Sequence, residues 1–312
     1  MAIRSAVQGR RLRGIAITAA SAVCFGTTPI FARAAYRSGA DPVFALAVRF
    51  ALASVILLLL VLVTARAGAP RLPRGRTLQT LALLGGLCYA GEALGYFLAL
   101  QRAPATLVAV LLYLYPAMVV ALSRLLHGVS ISSTAGACLG VAVLGSALAV
   151  GPVTGAARAG GVLAVGAAAV YAVYIVLAAE PVRTAGPLPA TAVVMSAAAV
   201  VLGVATAVLR PAGPGTLSGW LALGALAGVC TVAAAGLFLA GLSLLGPVDA
   251  STVSTLEPVV SAVLAATLLG DRLTPVQLFG AALVLAAIVA LARTAGSGPA
   301  LTATAARPAR AR

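Results

Sequence analysis

Charged side chains are scarce in this chain: 9% of its 312 residues are charged, against about 25% in a soluble domain. That is too little polar side chain to coat a water-facing globule, which excludes an ordinary soluble enzyme. Disorder is excluded as well, because 62% of the residues are hydrophobic and unfolded chains show the inverse signature. Lysine is missing altogether, so all 21 basic residues are Arg, and only six residues are acidic. The one histidine, His127, stands beside Arg124 in a short loop, a poor setting for catalysis. Cys24, Cys88, Cys138 and Cys230 lie far apart in apolar runs, with no CxxC spacing. They read as small packing residues, and neither a disulfide framework nor a metal site is expected. No Walker A stretch is present, so ATP-driven transport by this chain alone has no support.

What the chain has in abundance is apolar length. A hydrocarbon core about 30 Å thick needs about 20 helical residues, and runs of that order occupy roughly 14–36, 42–64, 77–100, 104–123, 133–151, 161–180, 190–209, 216–243, 247–269 and 275–293. The expectation is an all-α integral membrane protein with ten transmembrane helices. The first run follows Arg4, Arg10, Arg11 and Arg13 and ends near Ala32-Arg33-Ala34, which has the outline of a signal peptide. It is longer than a typical signal-peptide apolar region, so retention is expected.

Arginine placement sets orientation, because cytoplasmic loops collect basic residues. With the N-terminus inside, the inner loops and tails hold the four N-terminal arginines, Arg66, Arg71, Arg74, Arg76, Arg124, Arg183, Arg293, Arg307, Arg310 and Arg312. The outer side holds only Arg33, Arg37, Arg102, Arg158, Arg210 and Arg272. Both termini are therefore expected in the cytoplasm, in the cytoplasmic (inner) membrane. The net charge of +15 reads as a topology signal plus contact with anionic lipid, not as nucleic-acid binding. This divides the chain into a basic N-terminus (1–13), two halves (14–151 and 152–293) and a disordered Arg/Ala/Pro tail (294–312).

The halves repeat. Phe97-Leu98-Ala99 recurs as Phe238-Leu239-Ala240, Ala103-Pro104 aligns with Gly246-Pro247, Tyr115-Pro116 with Glu257-Pro258, and Gly136 with Gly280. Five spans per half is an odd number, so the second half enters the membrane in the opposite sense, giving inverted five-helix repeats, a transporter architecture. The stretch from Tyr96 to Thr106, then Leu112-Tyr113-Leu114-Tyr115-Pro116, Leu256-Glu257-Pro258-Val259-Val260 and Leu268 to Thr274 resemble the EamA-type branch of the drug/metabolite transporter superfamily. The resemblance covers about residues 14 to 293 and implies a ten-helix carrier whose halves enclose a central cavity, with members exporting amino acids, other metabolites or toxic compounds. Three departures stand out: Asp271 replaces the usual Glu after Leu-Gly, His127-Gly128 lacks an acid, and Cys24-Phe25-Gly26-Thr27 stands where Trp-Gly is common.

An ionisable group at membrane depth costs a few kcal/mol, about 2.5–3.5 on insertion scales, so each needs a partner or a purpose. Arg49, Glu92 and Glu257 are the three clear cases. Arg49 and Glu92 each lie about four residues, or roughly 6 Å, outward of their span centres. Two readings stand side by side: a buried structural ion pair, or a pair with which substrate or protons compete. Gly85, Tyr89, Glu92 and Tyr96 share a helical face, and Tyr hydroxyls beside a carboxylate favour a wet cavity over lipid. Ser254, Glu257 and Ser261 form a similar stripe, although hydroxyls often bond back to their own helix. Thr18, Ser21 and Thr28 form a weaker one. Tyr113, Tyr115, Tyr171 and Tyr174 add aromatic polar surface, whereas Trp220 reads as an interfacial anchor. Pro116 and Pro258 interrupt corresponding helices and are candidate hinges. Gly136/Gly140 and Gly224/Gly228 have the GxxxG spacing of close helix contacts, within the chain or in a homodimer.

Together these features point to a secondary carrier for a small molecule, an exporter working by alternating access with the proton as a candidate coupling ion. No cofactor is expected. A channel or membrane scaffold is the alternative from another class. An intramembrane enzyme ranks last, since no Gly-x-Ser-x-Gly and no cluster of His, Cys and acid is present.

Overall fold

The structure is a computed structural model, and it describes residues 2–127, 155–254 and 256–264, with scattered positions within 137–148 and 267–290. Among the described residues every regular element is helical. The first span is α1 (Ala2–Gly26) and α2 (Thr28–Arg37), interrupted at Thr27. Pro29 has no N–H for the Phe25 carbonyl, and at the break the Thr27 N–H and hydroxyl both donate to the Cys24 carbonyl, at 3.3 and 2.7 Å. The second span, α3 (Pro42–Arg66), starts on Asp41, whose carboxylate accepts from the Val43 N–H at 2.8 Å. Pro42 takes the first helical position, where an N–H would have no partner anyway.

The third span runs as α4 (Gly75–Leu83), a π-helical turn (Leu84–Tyr89) and α5 (Ala90–Arg102). It is followed by α6 (Ala105–Leu112) and α7 (Tyr115–His127). The second half contains α8 (Ala156–Ala185), α9 (Pro187–Leu209), α10 (Leu217–Ala227), a second π-helical turn (Gly228–Ala233) and α11 (Ala234–Leu245). Two short helices, α12 (Pro247–Val253) and α13 (Leu256–Leu264), come next.

Among the described residues six helices are long and apolar enough to cross a membrane: Gly9–Arg37, Pro42–Arg66, Gly75–Arg102, Ala156–Ala185, Pro187–Leu209 and Leu217–Leu245. The spans expected at 104–123 and 247–269 are each split in two, as α6/α7 and α12/α13. Proline is the cause in both. Pro116 and Pro258 lack the N–H that would continue each helix, and the Ser254 carbonyl accepts the Glu257 N–H at 3.0 Å instead. The spans expected at 133–151 and 275–293 fall largely outside the described residues, as does Gly136.

Packing across the halves is reciprocal. The α1 helix lies along α11 and α5 along α8, while α3 lies along α9. In the same way α6 and α7 touch α8, and α12 and α13 touch α1. Exchanging the two halves maps each contact onto another, the pattern a two-fold relation produces. The outer surface is apolar: Leu59, Val63, Leu83, Leu87, Val204, Val208 and Leu221 are each more than half exposed, which suits lipid and not water. Trp220 is on this surface, edge-on to Phe44 at 5.9 Å. A Cβ on Gly224 or Gly228 would find nothing within 4 Å among the described residues.

Gly85 does make a close contact. A Cβ there would lie 2.5 Å from the Val194 carbonyl oxygen and 2.7 Å from its Cα, so the third span and α9 cross on bare backbone. Gly85→Ala is expected to lower stability by about 1–3 kcal/mol through overpacking. Gly91→Ala, with nothing within 4 Å, is expected to raise it by about 0.5–1 kcal/mol. Thermal melting of both variants in detergent checks the pair, and equal melting temperatures would contradict the crossing.

Candidate functional site

Seven of the ionisable and tyrosine residues singled out in the sequence line one cavity between the halves. They are Arg49 from α3, Tyr89 from the first π turn, Glu92 and Tyr96 from α5, Tyr115 from α7, Tyr171 from α8 and Glu257 from α13. The unfilled space is about 480 Å³, counting its mouth, and Phe25, Phe97 and Leu112 add apolar wall. Broken helices bring two of these residues in. Tyr115 begins α7 and Glu257 sits in the first turn of α13, where the helix dipole favours a negative group.

The expected Arg49–Glu92 ion pair is not formed. Ion pairs among the described residues include Arg11–Asp249, at 3.4 Å, and Arg183–Glu180, at 2.5 Å, and neither involves Arg49 or Glu92. Arg49, only 4% exposed, instead donates from Nε to the Thr231 hydroxyl at 2.5 Å and from Nη2 to the Cys230 carbonyl at 2.8 Å. Its Cζ stands 5.2 Å from the Phe50 ring centre and 5.5 Å from that of Phe97. The second π turn explains the change of partner. A π turn loosens the regular helical ladder and commonly marks a functional site. Here the Thr231 hydroxyl donates five residues back to the Leu226 carbonyl at 2.8 Å while accepting from Arg49.

The two π turns occupy corresponding places, 144 residues apart, in the third span of each repeat. One carries Tyr89 into the cavity and the other holds Arg49. Sequence reasoning missed this, and it treated Cys230 as packing only; the glycines at Gly85-Gly86 and Gly228 were the only available signal.

Four residues expected on the pathway do not line the cavity. Tyr174 backs its wall, parallel to Tyr171 at 6.0 Å and tilted to Tyr89 at 5.2 Å. Tyr113 lies behind Tyr115, with ring centres 5.8 Å apart, and beside Glu257. Ser254 donates to the Ala250 carbonyl at 3.0 Å and Ser261 to the Gly26 carbonyl at 3.1 Å. The Ser261 bond and the close approach of Val260 to Gly26, where a Cβ would come within 2.6 Å, dock α13 on α1 and so place Glu257. From the weaker hydroxyl stripe, Thr18 bonds back to Gly14 and Ser21 crosses to the Ala234 carbonyl, but Thr28 lines the cavity.

The hydroxyls of Thr28, Tyr113 and Tyr115 are buried without a hydrogen-bond partner. Tyr113 and Tyr115 lie near Glu257 and Ser254 respectively, yet neither contact has bonding geometry. Buried polar groups left this way are rare in folded proteins and mark places a ligand or water can serve. Among the described residues no three His, Cys, Asp or Glu side chains gather around a point that could hold a metal ion.

These bonds generate a test. Thr231→Val removes the hydroxyl that joins Arg49 to the second repeat, with an expected loss of about 1–3 kcal/mol. In a double-mutant cycle with Arg49→Met the coupling is expected at about 0.5–3 kcal/mol, and additive melting shifts would contradict the bond. Glu92→Gln leaves these contacts intact, so its folded yield is expected to equal that of the parent.

No curated protein matches the chain at a significant level. Solved structures do match its fold: one crystal structure superposes with a TM-score of 0.68 at 20% identity, covering 91% of this chain and 98% of that chain. At that identity the likeness concerns the fold alone. The EamA-like transporter family matches residues 12–151 and 158–293, one match to each half of the reciprocal packing. The chain therefore belongs to the EamA-like transporter family, as a two-repeat, multi-pass membrane protein of a family that moves small molecules and is not enzymatic.

Proposed function

We propose that the protein is a secondary transporter that exports a small metabolite, amino acid or drug-like compound across the cytoplasmic membrane by alternating access. The carrying observation is the cavity itself, built from both repeats and lined by Arg49, Glu92 and Glu257. Ionisable groups at membrane depth mark substrate and ion pathways, and transporters place such sites at the repeat interface beside discontinuous helices.

On this reading the chain has ten spans in two inverted repeats with both termini in the cytoplasm. Pro116 and Pro258, at the starts of α7 and α13, act as hinges. Arg11 and Asp249, joined across the repeats at 3.4 Å, then close the cytoplasmic side. Glu257 is the favoured proton carrier and Glu92 the second, since neither is consumed by an ion pair to Arg49. The outward faces of Gly224 and Gly228 are available to a second copy in the bilayer. A channel would share this fold but show flux that does not saturate with substrate.

In proteoliposomes with an imposed pH gradient, Glu257→Gln is expected to abolish gradient-driven flux while leaving folded yield unchanged. Flux that still follows the gradient in this variant would remove Glu257 from the proton role.

A further inference from the structure

We infer that the cavity takes an organic monocation with a flat or apolar body, such as an aromatic amine or a quaternary ammonium or phosphonium ion. This rests on the transport reading above and narrows its substrate class. Three observations carry it independently.

The first is the charge count. The wall holds two carboxylates, Glu92 and Glu257, against one guanidinium, Arg49, and neither carboxylate has a cationic partner within ion-pair distance among the described residues. Arg49 balances one of them through space. The other is matched by a proton, as in the carrier reading above, or by a cation that enters in the proton's place, because an uncompensated charge at this depth is costly.

The second is the state of Arg49. A ligand carboxylate docks best on an edge of the guanidinium that offers two parallel N–H groups. The Nε–Nη2 edge is already occupied by the Thr231 hydroxyl and the Cys230 carbonyl, and the group faces Phe50 and Phe97. An anion or a zwitterion therefore finds its favoured side-on docking edge filled, whereas a cation makes no demand on Arg49.

The third is the lining. Tyr89, Tyr96, Tyr115 and Tyr171 present aromatic surface to the cavity, and ring faces attract cations electrostatically. Two buried hydroxyls of the same wall, Thr28 (4% exposed) and Tyr115 (1% exposed), have no protein partner. As acceptors they suit an ammonium N–H.

Binding to the purified full-length protein in detergent, followed by flux in proteoliposomes, tests this with three probes: tetraphenylphosphonium as monocation, phenylalanine as zwitterion and benzoate as anion. Saturable tetraphenylphosphonium binding is expected, weakened by about tenfold or more in Glu257→Gln or Glu92→Gln, the loss of one charged contact. Tyr115→Phe removes an unsatisfied hydroxyl without disturbing a bond, so it is expected to fold at least as well as the parent. It should weaken binding of phenethylammonium, which has N–H donors, but not of tetraphenylphosphonium, which has none. Binding of phenylalanine or benzoate without tetraphenylphosphonium would overturn the cation assignment, and phenylalanine flux in that case would leave the transporter reading standing. Tetraphenylphosphonium binding unchanged by both glutamate substitutions would also overturn it. Tetraphenylphosphonium binding without flux of any probe would keep the cation site and reject transport.

Discussion

A guanidinium at membrane depth must find hydrogen-bond acceptors within the protein, because lipid offers none. Arg49 finds them in the opposite repeat, at Thr231 and Cys230. The same logic recurs along the boundary between the halves. Ser21 donates to the Ala234 carbonyl, Ser54 and Ser196 share a bond at 2.6 Å, and Ser261 donates to the Gly26 carbonyl. Apolar surface supplies little drive for helix association in lipid, which is as apolar as the helices themselves. Specific polar links and close contacts such as Gly85 on Val194 therefore define how the repeats meet.

The cavity follows from where the helices stop. Thr27, the turn before Tyr115 and the turn before Leu256 are all interruptions, and each delivers a side chain to the central space: Thr28, Tyr115 and Glu257. The π turns serve the same end without breaking the helix, since one exposes Tyr89 and the other re-aims Arg49. Continuous, regular helices would instead pack side chain against side chain and leave no such space.

Several of these positions were legible because composition isolates them. In a chain with six acidic residues, Glu92 and Glu257 inside apolar runs are conspicuous, and the repeat aligns Tyr115-Pro116 with Glu257-Pro258. The predicted Arg49–Glu92 pair shows where such reading stops. Equal depth is one coordinate, and contact also depends on which way each helix face turns, which residue counting does not supply. Ser254 and Ser261 share a stripe with Glu257, but their hydroxyls are taken by carbonyls. No periodicity distinguishes a hydroxyl that lines a cavity from one that bonds to backbone.

The sequence by itself determined the class of the protein: apolar runs of bilayer length, scarce charge and duplicated proline motifs leave room for little but a two-repeat, all-helical membrane protein. It also named the three charges within the membrane, because their cost there makes them exceptional. Only the tertiary structure decided their partners. The Arg49 contacts and the Ser54–Ser196 bond join segments about 140 to 180 residues apart, and hydrogen bonding in a medium without water is settled by proximity in space.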